Sequence, residues 1–187
     1  GLYRTRVMEK EREVKVLGID LEEFEARLLE KGAKLIRFEK QINLLFNPPV
    51  MEGTDSYLRI RTSRDLNSGE ESSVLTLKVH ESAEQVRTNT EFTTPVSDPE
   101  TLSDILWLSG LGKPIHAEKI RKSYLLRGAR IDLDRWEEAI YPEPYAEIEV
   151  DTEEKLDAIL TWLSIDKAQV STKSIRQLMA EMKEKEA

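Results

Sequence analysis

The chain has 187 residues, a formal net charge of -8, 34% charged and 39% hydrophobic residues, and no cysteine. That length suits one domain with a sizeable core, and the lack of cysteine excludes disulfides, thiolate metal sites and a cysteine nucleophile. No apolar run approaches the ~20 residues of a membrane-spanning helix, no signal-peptide pattern opens the chain, and an acidic balance makes nucleic acid an unfavoured partner; a cytoplasmic location is expected.

In chain order, Gly1–Val7 precede Met8, a candidate native start, and are read as an extension ahead of one domain over 8–187. A strand is predicted over Glu9–Leu17. Asp20 then reads as the N-cap of a helix over Leu21–Lys31, with Glu23 as capping-box partner, Ile19 and Phe24 as a hydrophobic staple and Gly32 as the stop. Alternating sequence predicts strands over Lys34–Phe46, Ser56–Ser63, Ser73–His80 and Val86–Thr93. Turn material such as Asn47-Pro48-Pro49 and Asn67-Ser68-Gly69 separates some of them. Asp98 and Pro99 open a second helix whose pattern ends at Gly110. Strands follow over Ala117–Leu126, Ala129–Asp134 and Tyr145–Val150. Asp151 is read as the cap of a third helix, with Glu154 at N3, and a polar helix runs from Ser171 to about Lys185. Eight strands joined mostly as hairpins, with helices inserted, predict an antiparallel α+β fold.

The strands lack an ordinary polar face. Side chains two apart point the same way. Glu11, Glu13 and Lys15 therefore share a face, as do Arg59 and Arg61, Thr76 and Lys78, and Arg87 with Asn89 and Glu91. The same holds for Lys119 and Arg121, Asp132 and Asp134, and Glu147 and Glu149. The residues between them are largely apolar, among them Val14, Ile60, Leu77, Ile120, Leu133 and Ile148. For any one strand, a charged face in water explains this. The whole set is sorted: acids gather at both ends of the chain and bases in the middle. If the sheet closes, the charged face becomes a lumen and the apolar face packs under helices. Eight strands close around room for side chains or one small ligand. Crowded Arg and Lys in such a lumen need a polyanion, which Arg grips with paired N–H groups and Lys as a point charge. Carboxylates facing that polyanion need hard cations between, and Mg²⁺ or Mn²⁺ suits carboxylate and phosphate oxygens.

These residues resemble the CYTH, or triphosphate tunnel, superfamily. Glu11-Arg12-Glu13-Val14-Lys15 matches its ExExK signature. Leu58-Arg59-Ile60-Arg61, Leu75-Thr76-Leu77-Lys78, Lys119–Tyr124, Ile131–Asp134 and Glu147-Ile148-Glu149 resemble its later strand motifs, in order. The resemblance implies a closed eight-stranded antiparallel β-barrel with helices outside. It implies metal ligands at Glu11, Glu13, Glu147 and Glu149, with Asp134 and Glu91 as weaker candidates, and a phosphate clamp of Lys15, Arg59, Arg61, Lys78, Arg87, Lys119 and Arg121. Glu11, Glu13 and Lys15 are the catalytic candidates, with Mg²⁺ or Mn²⁺ as cofactor. The last helix, near Lys173 and Ser174, is placed at one end of the tunnel. The implied activity is metal-dependent hydrolysis of a triphosphate. The alternatives are cyclisation of ATP and a non-catalytic binding module. Many small barrels of this type pair up, so a homodimer is a candidate assembly, although the sequence leaves the oligomeric state open.

Two departures stand out. The acid-bearing strand at Arg87–Glu91 holds Asn89 where a carboxylate is usual. The cyclase branch carries a His-Phe pair six residues ahead of ExExK, and Thr5 and Arg6 stand there. His80 and His116 are read as surface or strand-end residues, Trp107 and Trp162 as core, and Trp136 as a candidate for the tunnel mouth.

Overall fold

The computed structural model describes residues 8–187, so the reading of Gly1–Val7, and of Thr5 and Arg6 within them, lies outside the described residues. Nine strands form one antiparallel sheet: β1 (Met8–Val16), β2 (Lys34–Phe46), β3 (Tyr57–Asp65), β4 (Glu71–Ala83), β5 (Arg87–Pro95), β6 (Ile115–Leu126), β7 (Ala129–Trp136), β8 (Tyr145–Val150) and the short β9 (Val170–Ser171). The order is β5-β4-β3-β2-β6-β7-β8-β1-β9. Pairing of β1 with β5, from Met8 opposite Phe92 to Glu13 opposite Arg87, closes eight strands into a barrel. Closure removes the sheet edges, and β9 adds beside Lys15 and Val16 outside the ring.

The helices are α1 (Leu21–Glu30), α2 (Pro99–Leu106), α3 (Glu153–Trp162) and α4 (Ile175–Glu186). None is long and apolar enough to cross a membrane. The outward apolar rows of β1, β6, β7 and β8 are covered by α1 and α3. Val14, Val16, Tyr124, Ile131, Leu133 and Ile148 are buried with Phe24 and Leu28 of α1 and Leu156, Ile159 and Leu160 of α3. Each such side chain contributes roughly 1.5–3 kcal/mol on burial. Polar ties fix the same layer: Tyr124 donates to Glu25 at 2.7 Å, and Arg27 donates to the Leu163 carbonyl at 2.9 Å.

Several local expectations change. Asp20 caps α1 by accepting from the Glu23 amide at 2.9 Å, but the Glu23 side chain turns to Arg27, so the capping box is half made. Thr152, not Asp151, caps α3, because the Asp151 carboxylate is held by Lys155 four residues on. The last helix begins at Ile175, since Ser171 pairs in β9; Ser174 is its cap, in a complete box with Gln177. Trp107 and Trp162 are not core residues. Trp107 ends α2 at 40% exposure, in a wide turn closed by Gly110 at φ 108°, where only glycine sits without strain. Trp162 is 36% exposed, with the Arg127 and Lys31 cations against its ring. A helical stripe names the apolar face but not whether anything covers it.

Candidate functional site

Closure turns the charged rows inward around a cavity of about 520 Å³. Its lining takes Glu11, Glu13 and Lys15 from β1, Arg59 and Arg61 from β3, Lys78 from β4, and Arg87 and Glu91 from β5. Lys119 and Arg121 come from β6, and Glu147 and Glu149 from β8. Asp134 lies just behind, fully buried. Every sequence-predicted site residue therefore lines this one cavity or lies directly behind its wall. β1 is central because it lies between β5 and β8, joining the acids of both ends of the chain to the bases of the middle.

The bases are not uniformly unpaired. Lys78 contacts Glu11 at 3.0 Å and Glu91 at 3.1 Å. Arg87 contacts Asp55 at 2.8 Å. Lys15 donates to the Lys173 carbonyl at 3.0 Å and lies 3.7 Å from Glu147. Asp134 accepts from Arg121 Nε at 2.7 Å and from Arg121 Nη2 and Lys119 Nζ at 2.8 and 3.0 Å, so both its oxygens are taken. Its carboxyl is held below the ordinary range: burial opposes the charge, but Arg121 and Lys119 prevail.

Arg59 and Arg61 differ. Among the described residues no carboxylate is in salt-bridge contact with either; Arg59 donates to the Tyr57 hydroxyl at 3.1 Å and Arg61 to Asn43 Oδ1 at 2.7 Å. Arg59 Nε and Arg87 Nη1 are buried with no hydrogen-bond partner among the described residues. Burial, then Arg59 and Arg121, push the Arg61 guanidinium down to about 9, so it stays a cation at neutral pH under strong opposition. Burial and Arg121 push Lys119 down to about 7. Crowded, incompletely satisfied cations in a closed lumen are what a bound polyanion would relieve.

Across the cavity the acids crowd as well. Burial first, then Glu147 and Glu11, raise the Glu13 carboxyl well above its usual range. Glu147 is held low: burial opposes it, but Lys15, Arg121 and Lys119 outweigh that. The two carboxyls are thus pushed in opposite directions, Glu13 up and Glu147 down. Burial lifts Glu149 to about 7 despite its ion pair with Arg130. Among the described residues no three acidic or histidine side chains already form a metal cage. Mg²⁺ does not require one; it takes one or two carboxylates and completes its shell with water and substrate phosphate. Crowded carboxylates at Glu11, Glu13, Glu147 and Glu149, all hard oxygen donors, fit such an ion.

One pH effect follows. A carboxyl raised in the folded state binds its proton more tightly there than in the unfolded chain, so its contribution is present at low pH and lost as pH rises through the folded value. With metal chelated, Glu149 should reduce stability by up to about 3 kcal/mol between pH 4.5 and 8. Urea unfolding of Glu149→Gln should show a flatter pH dependence over that range; an unchanged profile would contradict the assignment.

Some lining residues were missed by the strand rows. On β2, Arg37, Glu39, Gln41 and Asn43 face inward. Their alternation with Phe38, Ile42 and Leu44 was readable but is blurred by outward Lys40. Tyr57, Arg130 and, from α4, Ser174, Ile175, Arg176 and Met179 also line the cavity. Asn89 is fully buried, and its Nδ2 donates to Glu11 at 3.3 Å and Glu13 at 3.4 Å. His80, half-buried near the end of β4, has its Nδ1 3.2 Å from Asn89 Oδ1 and so is joined through Asn89 to the acid cluster. Trp136 does line the cavity, with the Lys119 ammonium 4.6 Å from its ring centre.

The fold and lumen define a closed antiparallel tunnel with a basic wall opposite an acidic one. The CYTH domain family matches residues 9–177, and the chain belongs to that family. No curated protein matches the sequence. Among solved structures, the PH1012 protein of Pyrococcus horikoshii OT3 is 25% identical with a TM-score of 0.73, covering 90% of this chain and 98% of that one. The PH1819 protein of the same organism is 24% identical with a TM-score of 0.74, covering 92% and 99%. HpAC1 from Hippeastrum, described as having a dominant triphosphatase activity, is 19% identical with a TM-score of 0.61, covering 89% and 91%.

Proposed function

We propose that the chain binds a triphosphate in the barrel and hydrolyses one of its phosphoanhydride bonds with the help of Mg²⁺ or Mn²⁺. One observation carries this reading: Arg59 and Arg61 stand in a closed lumen with no carboxylate in salt-bridge contact among the described residues, facing carboxylates crowded enough to raise the Glu13 carboxyl well above its usual range. Arg59, Arg61, Lys119 and Arg121 would hold the phosphate oxygens and stabilise the charge that spreads over them in the transition state. Asp134 aims Lys119 and Arg121 and is occupied in doing so, which separates it from the metal-ligand candidates. Glu11, Glu13, Glu147 and Glu149 would hold the divalent ion, with Asn89 keeping Glu11 and Glu13 together. When bound, the ion neutralises leaving-group charge and acidifies water. Lys15 is pinned between Glu147 and the Lys173 carbonyl, which favours an electrostatic role over proton transfer.

Glu11→Ala and Glu13→Ala are expected to lower Mg²⁺- or Mn²⁺-dependent turnover by about 10²-fold or more, the scale of losing a transition-state contact. Full activity in both variants would remove these residues from the site. Cyclisation of ATP uses the same clamp and differs by its products, cyclic AMP and pyrophosphate. Tight binding without turnover would instead mark a binding module.

A further inference from the structure

Glu39 is a buried acid set within the basic half of the barrel. It stands two residues from Gln41 on β2; the two are 7% and 1% exposed, and both line the cavity. Gln41 Nε2 donates to Glu39 Oε1 at 2.8 Å, which turns the amide oxygen away from Glu39. That oxygen, Gln41 Oε1, is buried with no hydrogen-bond partner among the described residues. The next inward side chain, Asn43, is satisfied at both ends, accepting from Arg61 and donating to the Ala117 carbonyl at 3.2 Å. Among the described residues only the exposed Arg37, at 3.8 Å, is in salt-bridge contact with Glu39. β2 runs between the two strands of the phosphate clamp: Gln41 is paired opposite Ser63 of β3 and Lys119 of β6, and Glu39 opposite Arg121. In the ring of eight, three strands separate β2 from β1 either way round, β3, β4 and β5 or β6, β7 and β8. Glu39 and Gln41 therefore face the lumen from the side diametrically opposite Glu11 and Glu13.

Unpartnered acceptors cannot face phosphate oxygens, which are acceptors too; they need a donor. The neighbouring Arg61, Lys119 and Arg121 disfavour a metal ion there but not a neutral donor. Water that donates one proton to Gln41 Oε1 and the other to Glu39 points a lone pair into the lumen. Resting on the triphosphate reading above, we infer that Glu39 and Gln41 hold the attacking water and that Glu39 is its general base. Arg59 and Arg61 on one flank, and Lys119 and Arg121 on the other, hold the phosphoryl oxygens. The leaving oxygen points to the acid wall across the barrel, so attack and departure are in line. The water oxygen bonds to phosphorus and one of its protons passes to Glu39. The bond from phosphorus to the bridging oxygen breaks, and its electron pair leaves on the diphosphate. Glu39 then returns the proton to solvent.

The test is steady-state hydrolysis of tripolyphosphate and of ATP, with Mg²⁺, by the native protein and by Glu39→Gln, Gln41→Met and Glu39→Ala. Glu39→Gln should lower kcat at least about 10²-fold, the scale of general-base catalysis, with KM within about threefold of native. Its Mn²⁺ affinity by calorimetry should match the native value, because Glu39 is not on the acid wall. Gln41→Met keeps the side-chain length but removes the acceptor, and should lower kcat about tenfold at the same KM. Added formate should raise the turnover of Glu39→Ala at least about tenfold. A native kcat in Glu39→Gln, a loss that falls on KM or Mn²⁺ affinity instead, or turnover that formate does not restore would overturn the inference and leave the triphosphate reading standing. So would cyclic AMP as the product, since the nucleophile is then a ribose hydroxyl. Where Glu39→Gln does not fold, Gln41→Met decides, and a native kcat there overturns the inference. If the native protein cleaves neither compound, the triphosphate reading itself fails and the inference with it.

Discussion

Asp134→Ala is expected to lower the unfolding free energy by about 3–5 kcal/mol, because it removes the acceptors of the buried Arg121 Nε and Nη2 and the acid that holds the Lys119 ammonium charged. Lys119 and Arg121 are 5% and 6% exposed, and Asp134 is 0% exposed. Arg121 retains Asp132 at 3.4 Å, but among the described residues no other acid is in salt-bridge contact with Lys119, whose ammonium, already pushed down to about 7, would lose its proton. Desolvated charge without a partner is among the largest penalties a single substitution brings. Asp134→Asn should lose nearly as much, since it preserves shape but not charge. Urea denaturation would read this as a lower midpoint with an unchanged slope. A loss below about 1 kcal/mol for both would mean that these groups are solvated, and their burial in the closed lumen would be wrong.

Arg61→Ala should show the opposite balance. Its guanidinium is opposed by burial and by Arg59 and Arg121, and Asn43 is its hydrogen-bond acceptor. Removing it relieves that repulsion, so stability should hold or rise by up to about 1 kcal/mol, the ordinary scale of a modest substitution. Turnover should nevertheless fall by about 10²–10³-fold, the scale of one preorganised transition-state contact. Loss of function without loss of stability is the mark of a residue placed for a ligand. Equal losses in both would make Arg61 a structural residue. Paired activity and melting measurements on one preparation separate the two.

Much of the barrel was legible in the sequence because its signal is local. Charged residues two apart, as in Glu11-x-Glu13-x-Lys15 or Arg59-x-Arg61, fix which side of a strand they share, and closure brings the rows together. What a strand row cannot show is its partner across the lumen. The pairing of Arg87 with Asp55, of Lys78 with Glu11, and of Arg121 with Asp134 depends on strand order and stagger. Asn89 reads in sequence as a missing carboxylate; in three dimensions it is a donor shared by two others. The role of α4 was legible only in part: Lys173 and Ser174 point to one end of the tunnel, but Ile175 and Met179 look like any helical stripe until Trp136 and Leu45 stand opposite. The exposed Trp107 and Trp162 show the same limit from the other side.

The central claim is that the lumen holds a triphosphate and opens a phosphoanhydride bond. The most direct measurement is phosphorus NMR of the products formed from ATP and from tripolyphosphate, each incubated with the native protein and Mg²⁺ or Mn²⁺, with a chelated control. Orthophosphate and a diphosphate, formed only with metal, are the predicted result. Cyclic AMP with pyrophosphate would replace hydrolysis by cyclisation at the same site, and unchanged triphosphates in every tube would contradict the claim.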